Sequence, residues 1–129
     1  MDNPKLLSPS TLAFVGDAVY GVMVRTALAQ VNRPAGELHR LSVQLVNANA
    51  QFAAVEQLLP EFTEEELSVY KRGRNLHTSN IPKSANSEHY HAATGLEALF
   101  GFLHLAGRKE RLEALFGKVW QSYLLNNQE

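Results

Sequence analysis

Between Leu6 and Val24 the chain carries one formally charged residue, Asp17, and between His89 and Gly107 again only one, Glu97. Stretches so long and so apolar leave few ways to fold. A helix that is apolar nearly all round belongs in an interior, so the sequence predicts two core helices, each taking a lone acid inside. Small residues flank both acids. Ala13 and Gly21 lie one turn from Asp17, and Ala93 and Gly101 one turn from Glu97. Such positions let another backbone or a ligand come close.

Prolines and polar clusters divide the rest into further helices. Ser8-Pro9 reads as an N-cap followed by proline at the first helical position, opening a helix to about Gln30. Asn32-Arg33-Pro34 breaks it. Ala35 to Leu59 follows as two helices or one kinked helix, with Leu38, Leu41, Leu45 and Val46 at helical spacing. Pro60 ends that stretch. Thr63 and Glu66 form a capping box for a helix to about Leu76. Ser79–Ser87 is a turn-rich loop, Glu88 to Gly107 the second apolar helix, and Arg108 to Asn126 an amphipathic one. No strand pair or hairpin signal interrupts them. The expected fold is all-α, a single helical domain over residues 1–129, a length that supports a core without metals or disulfides.

The chain has no cysteine, which removes disulfide scaffolds and zinc ribbons and suits a cytoplasmic setting. No apolar run approaches the roughly 20 residues of a membrane span, and the N-terminal MDNPKLLSPS is too polar for a signal peptide. No membrane partner is therefore expected. A net charge of −1 argues against a generic basic nucleic-acid binder, so any such surface must be local.

A buried carboxylate without a partner is costly, so it is neutralised, paired or bound to a metal. Two readings of Asp17 and Glu97 stand side by side: structural acids bonded to neighbouring helices, or ligands of a cation. Oxygen-only ligands favour Mg²⁺, which often takes one or two carboxylates plus waters and substrate phosphates. The hexapeptide LEALFG supplies a control, because it occurs at 96–101 and again at 112–117. Glu113 in the second copy lies among Arg108, Lys109, Arg111 and Lys118 and reads as a solvated residue in a weak pair with Lys109.

The stretch KRGRNLHTSNIPK, 71–83, contains Lys71, Arg72, Arg74 and Lys83 and no acid. With Asn75 it makes a candidate phosphate-contacting helix end and loop; the alternative is a solvated helix end whose cations suit the C-terminal dipole. It is too poor in aromatics for single-strand stacking, and duplex phosphates fit it better. Glu88 and His91 have an E-x-x-H spacing with no second copy to complete a di-iron site. His104, seven residues after Glu97, reads first as a core histidine, and His39 as a surface one.

Several of these segments resemble the ribonuclease III family. STLAFVGDAVYG at 10–21 resembles its signature helix, typically ERLEFLGDAVL. AATGLEALFG at 92–101 is similar to its second acidic helix, ADTFEALIG, and ELHRLSVQLVNANAQ at 37–51 to the helix between them. RGRN at 72–75, Pro82-Lys83 and ATGLEAL resemble most closely the short branch, Mini-ribonuclease III, which lacks a following double-stranded-RNA-binding domain. The resemblance implies a homodimer cutting both strands of double-stranded RNA, with Mg²⁺ at Asp17 and Glu97. It implies 5′-phosphate and 3′-hydroxyl ends, and maturation of large-subunit (23S) ribosomal RNA precursors; it names no ribosomal helper protein. Lys71, Arg72, Arg74, Asn75 and Lys83 would hold the RNA. Three acids common in the larger family fall here on Ser10, Ala13 and Thr94. A non-catalytic RNA-binding or ribosome-associated module of the same fold is the alternative, and a helical protein-interaction dimer a third.

Overall fold

A computed structural model describes residues 3–76 and 86–127. Six α-helices follow in order: α1 (Pro9–Ala29), α2 (Ala35–Val46), α3 (Ala48–Leu58), α4 (Glu64–Arg74), α5 (Ser87–Leu105) and α6 (Lys109–Asn126). Short 3-10 turns cover Pro4–Leu6 and Leu59–Glu61, and no strand occurs among the described residues. The expected all-α architecture holds. The stretch after Pro34 is two helices, because Asn47 is extended and caps α3 through a bond from the Ala50 N–H. The loop expected at Ser79–Ser87 lies outside the described residues up to 85.

The local signals act as their chemistry requires. Ser8 accepts from the Thr11 N–H at the start of α1. At α4, Thr63 Oγ1 accepts from the Glu66 N–H while Glu66 Oε1 accepts from the Thr63 N–H, completing the capping box. Gly107 follows α5 at φ 73°, a left-handed conformation that suits glycine at a helix end.

α5 is the centre of the bundle, packing against α1, α3 and α4. Ten of its residues are buried, from Ala92 to Leu103 and on every face, as an all-round apolar helix demands. Leu96, Leu99, Phe100 and Leu103 are fully enclosed, each contributing about 1.5–3 kcal/mol by leaving water. Tyr20 and Phe100 meet at 5.3 Å between ring centroids, and Phe116 closes on Tyr20 edge-on at 5.7 Å.

α1 departs from expectation. It buries one stripe at four-residue spacing, Leu12, Gly16, Tyr20, Val24 and Leu28. Its other face stays open, with Phe14 80% and Val22 62% exposed and Asp17 exposed between them. Only one neighbouring layer covers α1, so apolar composition all round did not bring it inside. The span criterion needs correcting too. At 21 residues and mean hydropathy 1.4, α1 is long and apolar enough by composition to cross a membrane, despite Asp17. Its stripe against α5 accounts for the apolarity on one side as core packing.

Two glycines decide how α1 crosses α5. A Cβ at Gly16 would overlap the main-chain oxygen of Glu97, and one at Gly101 the main-chain oxygen of Leu12. The two backbones are in direct contact there. On another side of α5, a Cβ at Gly73 of α4 would lie 2.6 Å from Ala98 and 2.9 Å from Gly95. Gly117, the counterpart of Gly101 in the second LEALFG, has open space around it, as does Gly21.

α6 is joined to α4 and the turn before it by ion pairs that sequence spacing did not indicate. Arg111 grips Glu66, which is 2% exposed, through Nε to Oε2 at 2.7 Å and Nη2 to Oε1 at 2.8 Å. Its Nη2 also donates to the Glu61 carbonyl. Burial pushes the Glu66 carboxyl up, but the Arg111 bond, the Thr63 N–H and the charges of Arg111 and Arg108 together hold it below the usual range. Arg108 pairs with Glu65 and Lys118 with Glu61. Glu113 is exposed and makes no ion pair among the described residues, so the expected pair with Lys109 is absent.

Candidate active site

The close crossing of α1 and α5 brings the two lone acids together. Asp17 follows Gly16, whose Cα rests on the Glu97 carbonyl, so the acids meet at the tightest point of the helix pair. Glu97 is partly buried, and Asp17 stands on the open side. Burial pushes the Glu97 carboxyl up to about 8, and the Asp17 charge and a hydrogen bond shared with Asp17 push the same way. Against them, Gln51 Nε2 of α3 donates to Glu97 Oε2 at 3.4 Å. The Tyr20 hydroxyl is pushed up by its burial and by the Glu97 charge, so it stays protonated. No arginine or lysine pairs with either acid among the described residues. The bond that Glu97 makes to a neighbouring helix is the one from Gln51 of α3.

The residues present suit a divalent cation. Two carboxylates repel each other on a partly closed site, and a cation between them relieves that repulsion. No cluster of three or more His, Cys, Asp or Glu exists among the described residues. Two protein oxygens with water and phosphate completing the shell is an arrangement that Mg²⁺ accepts. His104 is exposed rather than a core residue, and lines the groove beside Asp17. His39 is on the surface, as expected.

The residues of the basic helix end differ in their contacts. Arg72 donates Nη1 to the Lys5 carbonyl at 3.0 Å and Nη2 to the Leu7 carbonyl at 3.1 Å. It ties the N-terminal turn to α4 while remaining exposed. Arg74 lies over the Tyr70 ring, 5.7 Å from its centroid, and Nε donates to Asn75 Oδ1 at 3.1 Å. Lys71 and Asn75 are exposed. Lys83 lies outside the described residues.

The ribonuclease III domain family matches residues 10–108. The chain belongs to the ribonuclease III family. It is an endoribonuclease, of a family that acts on double-stranded RNA. Curated relatives agree: Mini-ribonuclease 3 of Thermoanaerobacter sp. is 45% identical over 108 residues, covering 83% of this chain and 76% of that one. Mini-ribonuclease 3 of Symbiobacterium thermophilum is 46% identical, covering 85% of both chains. A crystal structure of a Fusobacterium nucleatum protein superposes with a TM-score of 0.85 at 27% identity, covering 93% of this chain and 97% of that one.

Two of the positions where the larger family carries extra acids are satisfied without charge. Thr94 turns its Oγ1 back to the Tyr90 carbonyl at 3.0 Å, and Ala13 packs against the core. Gln51 escaped the sequence reading because nothing local marks it. It falls on the apolar stripe of α3, and its partner is 46 residues away.

Proposed function

We propose that this ribonuclease III family member cuts double-stranded RNA with Mg²⁺ held by Asp17 and Glu97. The observation that carries this is the meeting of the two carboxylates at the α1–α5 crossing, with Glu97 pushed up to about 8 and no basic partner beside it among the described residues. Bound there, Mg²⁺ would activate a water and stabilise charge at a phosphodiester, giving 5′-phosphate and 3′-hydroxyl ends. Asp17, on the open side, presents its carboxylate toward incoming RNA. Glu97 anchors from within, where surrounding apolar helix keeps bulk water from its inner side. Lys71, Arg72, Arg74, Asn75 and Lys83 hold the backbone of the duplex, whose A-form is recognised largely by shape and phosphates.

The active form is a homodimer. The open face of α1 supports this: Phe14 and Val22 border a groove of about 850 Å³ whose walls include Val19, Met23 and Leu112. A protruding aromatic beside an apolar groove is self-complementary, as a two-fold interface requires. Asp17 lines the same groove, so covering it also lowers the solvent access of the site. Two copies would set two basic helix ends on one duplex and offset the near-neutral charge of each. The substrate proposed is a 23S ribosomal RNA precursor in the cytoplasm, carried by the resemblance to the short branch.

The test is cleavage of a long duplex RNA with Mg²⁺, using Asp17→Asn, Glu97→Gln and, as control, Glu113→Gln. The first two lose cutting and the control keeps it. Wild-type cutting by either of the first two refutes the site, and binding without Mg²⁺-dependent cutting by the natural chain establishes the non-catalytic module instead.

A further inference from the structure

α3 turns one stripe toward the core: Gln51, Ala54, Val55 and Leu58. Gln51 is the polar member, and it is only 2% exposed. An amide in such a stripe costs stability unless it is bonded, and leucine would fill the position without that cost. The one side-chain bond Gln51 makes among the described residues is to Glu97 Oε2. Its neighbours fix where it points. Asn49 Oδ1 meets His89 Nδ1 at 2.6 Å, and the Phe52 ring stacks on His89 at 4.1 Å, so the start of α3 is clasped to α5 on either side of Gln51 in sequence.

We propose that Gln51 is a positioning residue for the cation site, holding one oxygen of the Glu97 carboxylate so that the group meets a divalent ion in a fixed orientation. This rests on Asp17 and Glu97 being the cation pair. The amide is suited to the task because it orients the carboxylate without a charge of its own. An arginine or lysine in its place would neutralise the charge that a cation needs, whereas a leucine would leave the oxygen unpaired. Partners of metal ligands act in this way generally, and removing one weakens metal binding about 10- to 100-fold.

The test uses the RNA-free protein and Mn²⁺ as the probe, with free ion measured by electron paramagnetic resonance. Gln51→Leu and Gln51→Met remove the donor; Met keeps the unbranched shape and serves if Leu disturbs folding, which circular dichroism checks. Each is expected to weaken Mn²⁺ binding about tenfold. In the Glu97→Gln background the same change adds nothing further, because Gln51 acts through Glu97. The Mg²⁺ concentration for half-maximal cutting of duplex RNA rises by the same factor, while the rate at saturating Mg²⁺ changes less. Unchanged Mn²⁺ affinity in both Gln51 variants, with Glu97→Gln weakened, overturns the role of Gln51 and leaves the pair standing. A further loss in the double variant overturns it as well. Full affinity in Glu97→Gln removes the pair and this inference together.

Discussion

Replacing Glu97 by glutamine gives the most direct reading of the strain at the acid pair. The folded carboxyl lies at about 8 against an ordinary 4.5, so the folded chain binds this proton more tightly than the unfolded chain does. Stability from this group is therefore full below about pH 4.5, falls as pH rises, and levels off above about 8, where the folded state ionises as well. At pH 7 the gap of 7 − 4.5 = 2.5, at about 1.36 kcal/mol each, amounts to about 3 kcal/mol. Glutamine is isosteric and cannot ionise, so in EDTA Glu97→Gln should be the more stable protein at pH 7 by that order. Thermal unfolding followed by circular dichroism would show it as roughly 10 °C. At pH 4.5 the two should coincide. Mg²⁺ should raise the wild-type transition and leave the variant unmoved, since binding to the folded state stabilises it. Equal transitions for the two proteins from pH 4.5 to 8 in EDTA would refute the reasoning.

Other expectations test the frame around the site. Gly16→Ala and Gly101→Ala push a methyl into facing backbone and should cost about 3 kcal/mol or more, or prevent folding; Gly117→Ala, in open space within α6, should gain about 0.5–1 kcal/mol, all read by urea unfolding. Arg111→Met leaves Glu66 buried without its cation and should cost about 3 kcal/mol at pH 7. Because the Glu66 carboxyl is held below its usual range, that difference should persist above about pH 4.5 and shrink as acid protonates the folded group. Lys71→Ala should lower the salt dependence of duplex RNA binding by about one in slope, whereas Arg72→Ala should lower stability, because its bonds go to the Lys5 and Leu7 carbonyls. Phe14→Lys should yield a monomer by analytical ultracentrifugation if a second copy covers the α1 face.

The legibility of the two acids shows how far composition reaches. Glu97 and Asp17 stood out for the same reason, each alone in an uncharged helix, yet only α5 has its apolar surface enclosed all round. α1 lies at the edge of the bundle, and its open side was invisible to a count of apolar residues because a face awaiting a partner has the composition of a face already covered. Of the flanking glycines, Gly101 meets a facing backbone, whereas Gly21 has open space beside it among the described residues. Gly16, adjacent to Asp17 in sequence, makes the closer contact. The basic stretch looked uniform as a string, but Arg72 had carbonyls within reach that only the return of the N-terminus to α4 supplied.

What the sequence determined alone is local or periodic. The all-α fold, the Ser8 and Thr63 caps, the breaks at Pro34 and Pro60 and the two lone acids all follow from spacing and from side-chain reach within one or two turns. The tertiary structure decided what depends on distance between helices. It set the glycine crossing that joins Asp17 to Glu97, the Gln51 amide reaching across 46 residues, the Arg111 grip on Glu66 and the uncovered face of α1. The physical reason is that hydrogen bonds and contacts act over a few ångströms of space, while a sequence records proximity only along the chain.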